Sequence, residues 1–380
     1  MKETLLAISN HAAIIGGGEY SFLDLVSGMK DSWDVIALAP GYGELHDRLR
    51  NRSVPTAVSS LSPIRPWLLH HVFFDVRRIV GHGRTHHADL VYANGSRAAL
   101  YGGLAAKLLR IPMIWHCRIA VRDPLLDPVL LRLSCRVVVN SRATADRISG
   151  KFGAKVRLVY NGIGLSKFRS NPGASRPVIG SHQRTVISAG RISRQKRHDL
   201  VLTAFESLAE VHGALHLYLI DGKDRSEPAW YASLRDRSNG SKFRDRIHWV
   251  GHVDDVRPWY HAADLMMFPS ENESFGRVVV EAMACGLPIV AAKSGGLPEI
   301  ITHGKDGFLF SPGNMAQLIE YSHGVLDDPI TRDRISLAAQ NRSEYFSLDR
   351  HLRLMNHVFE ETLSAQKDMA RAQRHRHTGL

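Results

Sequence analysis

Short apolar runs of four to seven residues alternate along this chain with longer stretches of helical periodicity. Within the runs apolar residues follow one another directly instead of alternating with polar ones, as in strands buried on both faces of a parallel sheet and joined by crossover helices. In the first half the pattern predicts strands over 5–9, 35–39, 90–93, 113–116, 137–140 and 157–160, with a helix over 96–109 in one of the gaps. In the second half it predicts strands over 185–189, 215–220, 247–250, 265–268 and 288–291. The fold class that follows is α/β, built as doubly wound, Rossmann-like domains.

A chain of 380 residues exceeds what one hydrophobic core usually holds. The stretch 170–184, SNPGASRPVIGSHQR, is rich in Ser, Pro and Gly and lacks a period, and the strand–helix alternation restarts after it. We therefore expect a first domain over 1–170, a second over 171–345, a further segment over 346–365 and a basic, flexible tail over 366–380. Two such domains are expected to face each other across a cleft. Ligands of doubly wound sheets bind outside the carboxyl ends of the strands, so that cleft is where chemistry is anticipated.

Composition narrows the class. The apolar fraction of 44% and charged fraction of 23% are those of an ordinary globular protein. Neither an uninterrupted apolar run of 18 residues nor a signal-peptide pattern is present, and the expectation is a cytoplasmic protein. The three cysteines, Cys117, Cys135 and Cys285, have no C-x-x-C spacing and suggest neither a disulfide framework nor a zinc site. The net charge of +12 is unevenly placed: residues 1–170 hold 23 Lys+Arg against 12 Asp+Glu, and the remainder 26 against 25. Aromatic residues are not interleaved with the cations as a nucleic-acid stacking platform requires, so nucleic acid is not expected as a partner. An anionic membrane surface or a phosphorylated acceptor suits a basic first half better. The stretch 67–80, WLLHHVFFDVRRIV, has the amphipathic make-up of an interfacial helix, although such a stripe is more often plain core.

Three segments carry candidate chemistry. Gly16, Gly17 and Gly18 form a turn before a helical stretch, where free N–H groups suit phosphate but a simple tight loop is an equal reading. Gly190, Arg191 and the residues to Arg197 follow the first strand of the second half and place four cations before a helix beginning near His198. Cations oppose the dipole at a helix N-terminus, a conflict that a bound diphosphate would relieve; a solvated charged turn is the plainer reading. The longest segment is 269–299, PSENESFGRVVVEAMACGLPIVAAKSGGLPE. In it Glu273 lies on a loop and Glu281 on the second turn of a helix that starts at Phe275–Gly276. Gly286 and Pro288 then stop that helix.

Here the chain resembles the group 1, glycogen synthase-like family of retaining glycosyltransferases with the GT-B fold. The resemblance covers nearly all of it: the Gly-rich turn, His116, the Asn161–Gly162 turn, the Gly190 to Lys196 segment and the Glu273 to Glu281 region. It implies that Arg191 and Lys196 bind the donor diphosphate, that Glu281 holds the ribose hydroxyls, and that Glu273 meets the donor sugar. Backbone around Ser274, Phe275 and Gly276 would lie near sugar and phosphate, and His116 near the sugar. His116, Arg191, Lys196 and Glu273 are the catalytic candidates. Gly17, Gly18, Asn161, Gly190, Gly251, Val253 and Val278 complete the donor-binding set. The resemblance also implies a last helix near 348–365 that crosses back to the first domain.

The reaction so implied moves a hexosyl unit from a UDP- or GDP-type sugar to an acceptor hydroxyl with retention. Its transition state is oxocarbenium-like, with the departing phosphate taking the acceptor proton; double displacement, as in retaining glycosidases, is the alternative. No cofactor is expected. No D-x-D is present, and Arg191 with Lys196 can replace the charge of a metal ion, so no metal is expected either. A lipid-linked or glycan acceptor, at the inner face of a membrane and in cell-surface polysaccharide or glycolipid synthesis, is the expected partner. The alternatives are a sugar-nucleotide epimerase or phosphorylase of the same fold, and an inert sugar-nucleotide-binding subunit.

Overall fold

The computed structural model describes residues 2–63, 69–148, 153–170, 184–221 and 226–378. The central part of the expected linker, 171–183, therefore lies outside the described residues. The chain divides into two compact units, 1–14 with 18–162 and 348–380, and 15–17 with 163–347.

The first unit is a seven-stranded parallel sheet. Its elements run β1 (Thr4–Ser9), α1 (Gly17–Gly28), β2 (Asp34–Ala39), α2 (Glu44–Asn51), β3 (Thr56–Val58), α3 (Leu69–Thr85), β4 (Leu90–Asn94), α4 (Ser96–Leu109), β5 (Met113–Cys117), α5 (Leu126–Leu133), β6 (Arg136–Val139), α6 (Arg142–Asp146) and β7 (Val156–Leu158). The order β3-β2-β1-β4-β5-β6-β7 reverses direction between β1 and β4, where Ser9 pairs with Asn94. Its central strands are buried end to end, which is why they read as unbroken apolar runs.

The second unit begins with α7 (Leu165–Arg169) and carries a six-stranded sheet ordered β10-β9-β8-β11-β12-β13. Its elements are β8 (Arg184–Gly190), α8 (His198–Val211), β9 (Leu215–Asp221), α9 (Pro228–Asn239), β10 (Ile247–Gly251), α10 (Arg257–Ala262), β11 (Leu265–Phe268), α11 (Arg277–Ala284), β12 (Ile289–Ala292), α12 (Leu297–Ile300), β13 (Phe308–Phe310), α13 (Met315–Asp327) and α14 (Pro329–Ser343). Here the reversal falls between β8 and β11.

The last helix, α15 (Leu348–Thr378), belongs to the first unit. Met355, Val358, Phe359 and Leu363 enter its core, Trp33 Nε1 donates to Asn356 Oδ1 at 2.7 Å, and Glu361 pairs with Arg136 and Arg157. The helix continues through most of the stretch expected to be a loose tail. The reason is local: QKDMARAQRHRH contains good helix formers and neither Gly nor Pro, so nothing stops the turn begun by the packed part. The stripe at 67–80 proves to be largely one helix, α3, starting at Leu69; residues 64–68 lie outside the described set. It buries Val76, Ile79 and Val80 while leaving Phe73 and Phe74 58% and 56% exposed. No helix among the described residues is long and apolar enough to cross a membrane.

Candidate functional site

In the second unit the loops after β8 and β11 meet at the reversal of strand order, the usual position of a ligand crevice in such sheets. From the first loop, Lys196 Nζ donates to Glu273 Oε2 on the second, and Ser270 Oγ donates to the same oxygen at 3.0 Å. The Lys196 ammonium also sits 4.9 Å from the centre of the Phe268 ring, at the end of β11. Burial pushes the Glu273 carboxyl up, but the charge and hydrogen bond of Lys196, the Ser270 hydroxyl and the Arg191 charge outweigh it. The net direction is down, and Glu273 stays ionised. The loops are further tied by Glu271 N–H donating to Gln195 O at 2.9 Å.

The glycines of the third segment explain themselves here. Gly295 has φ +57, and a Cβ on it would lie 2.1 Å from the backbone oxygen of Glu273, while Gly296 N–H donates to that oxygen at 2.7 Å. The SGG turn thus clamps the backbone that carries Glu273. Gly276, at φ +97, opens α11, whose sequence RVVVEAMA has a β-branched run of poor helix propensity. Burial of Val279, Val280, Ala282 and Met283 holds the helix together instead. Glu281 falls on its second turn as expected, and Arg277 Nε donates to its Oε1 at 2.7 Å, an i,i+4 pair not anticipated from the sequence.

The cation cluster differs from expectation in its electrostatics. Arg194 faces Glu227, Lys196 faces Glu273, and Arg197, at φ 52, pairs with Asp199 and Glu271. Carboxylates therefore already oppose Arg194, Lys196 and Arg197, and the clash with the helix dipole does not demand a bound diphosphate. Gly190, at φ +143, lets the chain turn out of β8 beside Lys196. Phe275 is buried against Phe346 at 5.7 Å, while Ser274 and Val278 flank it, half-buried. Gly251 ends β10 and Val253 follows it; no hydrogen bond or ion pair among the described residues joins either to the Lys196–Glu273 pair.

Gly17, counted with the second unit, and Gly18, of the first, open α1, and in the first unit His116 sits near the end of β5. His116 is fully buried, and burial, then the nearby Arg118 and His351, hold its imidazole neutral well below the ordinary range. The Tyr92 hydroxyl lies 2.8 Å from Nδ1 and Arg118 Nη2 donates to the Tyr92 oxygen at 3.3 Å. The hydroxyl proton is thereby directed to Nδ1, which leaves the ring's own proton on Nε2; that atom has no hydrogen-bond partner among the described residues. Asn161 receives Arg118 Nη1 at 2.7 Å, and Asn94 Oδ1 receives Arg118 Nε at 2.5 Å. Sequence reasoning placed His116 and Asn161 in one site, with Arg118 as a weaker candidate beside His116, but missed Tyr92 and Asn94, which with Arg118 link them.

Two family models cover most of the chain: "Glycosyl transferases group 1" matches residues 175–342 and "Glycosyltransferase Family 4" matches residues 15–167. The chain belongs to the group 1 glycosyltransferases. This glycosyltransferase is 28% identical over 316 residues to a D-inositol 3-phosphate glycosyltransferase of Streptomyces bingchenggensis, covering 74% of this chain and 68% of that one. It is 29% identical over 286 residues to the sulfoquinovosyl transferase SQD2 of Arabidopsis thaliana, covering 68% and 54%. Among solved structures, Anabaena Alr3699/HepE in complex with UDP-glucose superposes with a TM-score of 0.83 at 23% identity, over 94% of this chain and 99% of that one. The sucrose-phosphate synthase of Thermosynechococcus elongatus gives 0.77 at 20% identity, over 96% and 100%. The fold is GT-B.

Proposed function

We propose that this glycosyltransferase moves a hexosyl unit from a UDP- or GDP-type sugar to an acceptor hydroxyl with retention at the anomeric carbon. The observation that carries the reading is the Lys196–Glu273 pair at the strand-order reversal, supported by Ser270 and by the charge of Arg191. An ionised carboxylate accepts hydrogen bonds from sugar hydroxyls, and Lys196 and Arg191 beside it offset the charge that builds up on a departing diphosphate. Glu281, oriented by Arg277 from the preceding turn, is assigned to the ribose. The Anabaena neighbour holds UDP-glucose, which supports the donor class. Two cations in place of a metal ion make the reaction independent of divalent cations in this scheme.

The acceptor is proposed to be a glycan or lipid-linked sugar presented at the inner face of a membrane, in cell-surface polysaccharide or glycolipid synthesis. Support comes from the outer face of α3, where exposed Phe73 and Phe74 stand beside exposed Arg77 and Arg78. The deciding experiment is a thermal-shift screen of UDP- and GDP-sugars followed by a transfer assay in EDTA. Stabilisation by one nucleotide class and product formation without divalent ions are expected. Turnover that EDTA abolishes and Mg²⁺ restores overturns the role given to Arg191 and Lys196, and sugar interconversion or phosphorolysis without transfer overturns the reaction.

A further inference from the structure

Arg118 follows β5 at the carboxyl end of the first unit's sheet, beside the β1–β4 reversal. It is half-buried, and three neutral groups position it: Nε donates to Asn94 Oδ1, Nη1 to Asn161 Oδ1 and Nη2 to the Tyr92 oxygen. The further approach of Nη2 to His116 Nδ1, 3.4 Å, competes for a lone pair that the Tyr92 hydroxyl occupies at 2.8 Å. One hydrogen on each terminal nitrogen is left over. No ion pair among the described residues involves this guanidinium, whereas Arg147, whose side chain is also enclosed, is matched by Asp127.

A partly desolvated cation that no carboxylate among the described residues faces is costly, and a guanidinium with N–H groups left over can bind an oxyanion bidentately. The setting suits such a ligand. A Cβ on Gly18 would lie 3.5 Å from Arg118 Cδ, so the first turn of α1 borders the side chain, and Asn94 Nδ2 is 3.4 Å from the Gly18 oxygen. Asn10 Oδ1 meanwhile accepts from the Arg97 and Ala98 N–H groups at the start of α4 and so satisfies that neighbouring helix end.

We propose that Arg118 is the anchor of an oxyanion site in the first unit, and that its ligand is a phosphoryl group carried by the acceptor. The acceptor part of this inference rests on the glycosyl-transfer reading; the oxyanion site does not. The donor's own phosphates are the other source of the same chemistry, and they are assigned to Arg191 and Lys196 in the second unit.

The test titrates inorganic phosphate calorimetrically into the whole protein saturated with UDP or GDP, whichever stabilises it, at constant ionic strength. Arg118→Gln is expected to weaken phosphate at least tenfold while changing nucleotide affinity less than twofold, and Arg118→Lys, which keeps the charge without the fork, falls between. Unchanged phosphate affinity in Arg118→Gln overturns the site. A tenfold loss of nucleotide affinity reassigns Arg118 to the donor and overturns the acceptor role. Should Arg118→Gln fail to fold, Arg118→Lys alone decides, since an affinity equal to wild type contradicts a fork. If neither nucleotide binds, the donor reading falls, and the same titration on the free protein, with Lys196→Met as the comparison, still decides the Arg118 site.

Discussion

Gly295→Ala perturbs the candidate site without touching any side chain assigned a role in it. Two penalties are expected. Alanine at φ +57 carries the left-handed strain of about 1–2 kcal/mol. In addition its Cβ would stand 2.1 Å from the Glu273 oxygen and 2.8 Å from the Glu273 nitrogen, both backbone atoms that no rotamer change can clear. The Glu273 backbone has to retreat by about 1 Å, at the cost of the Gly296–Glu273 hydrogen bond, about 1 kcal/mol. The carboxylate then moves away from Lys196 and Ser270. A displacement of about 1 Å in a positioning group costs on the order of 10²-fold in rate. Gly313→Ala is the control: its φ is +79, but nothing lies within 4 Å of its Cβ. It carries the strain alone, and a lower melting temperature by roughly 2–8 °C with unchanged kcat/KM is expected. Thermal melts and initial transfer rates on both variants read the difference. If Gly295→Ala retains kcat/KM within twofold and melts like Gly313→Ala, the clamp on Glu273 is not what positions the site.

Replacing Lys196 by Met removes the charge that keeps Glu273 ionised, so the carboxyl rises toward its burial-favoured direction and the acid limb of kcat/KM moves to higher pH. The rate falls by roughly 10²–10³-fold, and an unshifted acid limb in a pH–rate profile contradicts the pairing. Glu361, held by Arg157 against burial and then by Arg136, has its carboxyl lowered from 4.5 to about 2. Its stabilising contribution is complete above its unfolded value and is lost as pH falls from about 4.5 to about 2. Urea denaturation of Glu361→Gln is expected to show a reduced stability at neutral pH and a shallower decline over that acid range. Substituting Ser for both Phe73 and Phe74 is expected to weaken sedimentation with anionic vesicles at low salt while leaving soluble-acceptor turnover unchanged; wild-type protein that does not bind such vesicles refutes the membrane face.

Two of the shortest elements escaped the sequence. β3, TAV, and β13, FLF, are three-residue edge strands that the apolar pattern did not single out, and their neighbours in the sheet make them strands. The Glu273 and Glu281 positions were legible because both depend on a local event, a glycine-initiated helix over eight residues. Tyr92, by contrast, looks like any strand residue; its partnership with His116 exists because β4 lies beside β5 in the sheet.

By itself the sequence determined the doubly wound character of both halves, the helix start after Gly276 and the family, since burial on both faces and turn chemistry leave their mark on adjacent residues. Only the tertiary structure decided which charges meet. Lys196 and Glu273 are 77 residues apart, and Arg118 and Asn161 are 43 apart. Such pairs depend on strand order and on which loops emerge side by side at the reversal points, and these come from packing whole crossovers together. Charge compensation is therefore a property of the assembled sheet, and it is why three cations that looked ready for a diphosphate already face carboxylates, while among the described residues no carboxylate pairs with Arg118.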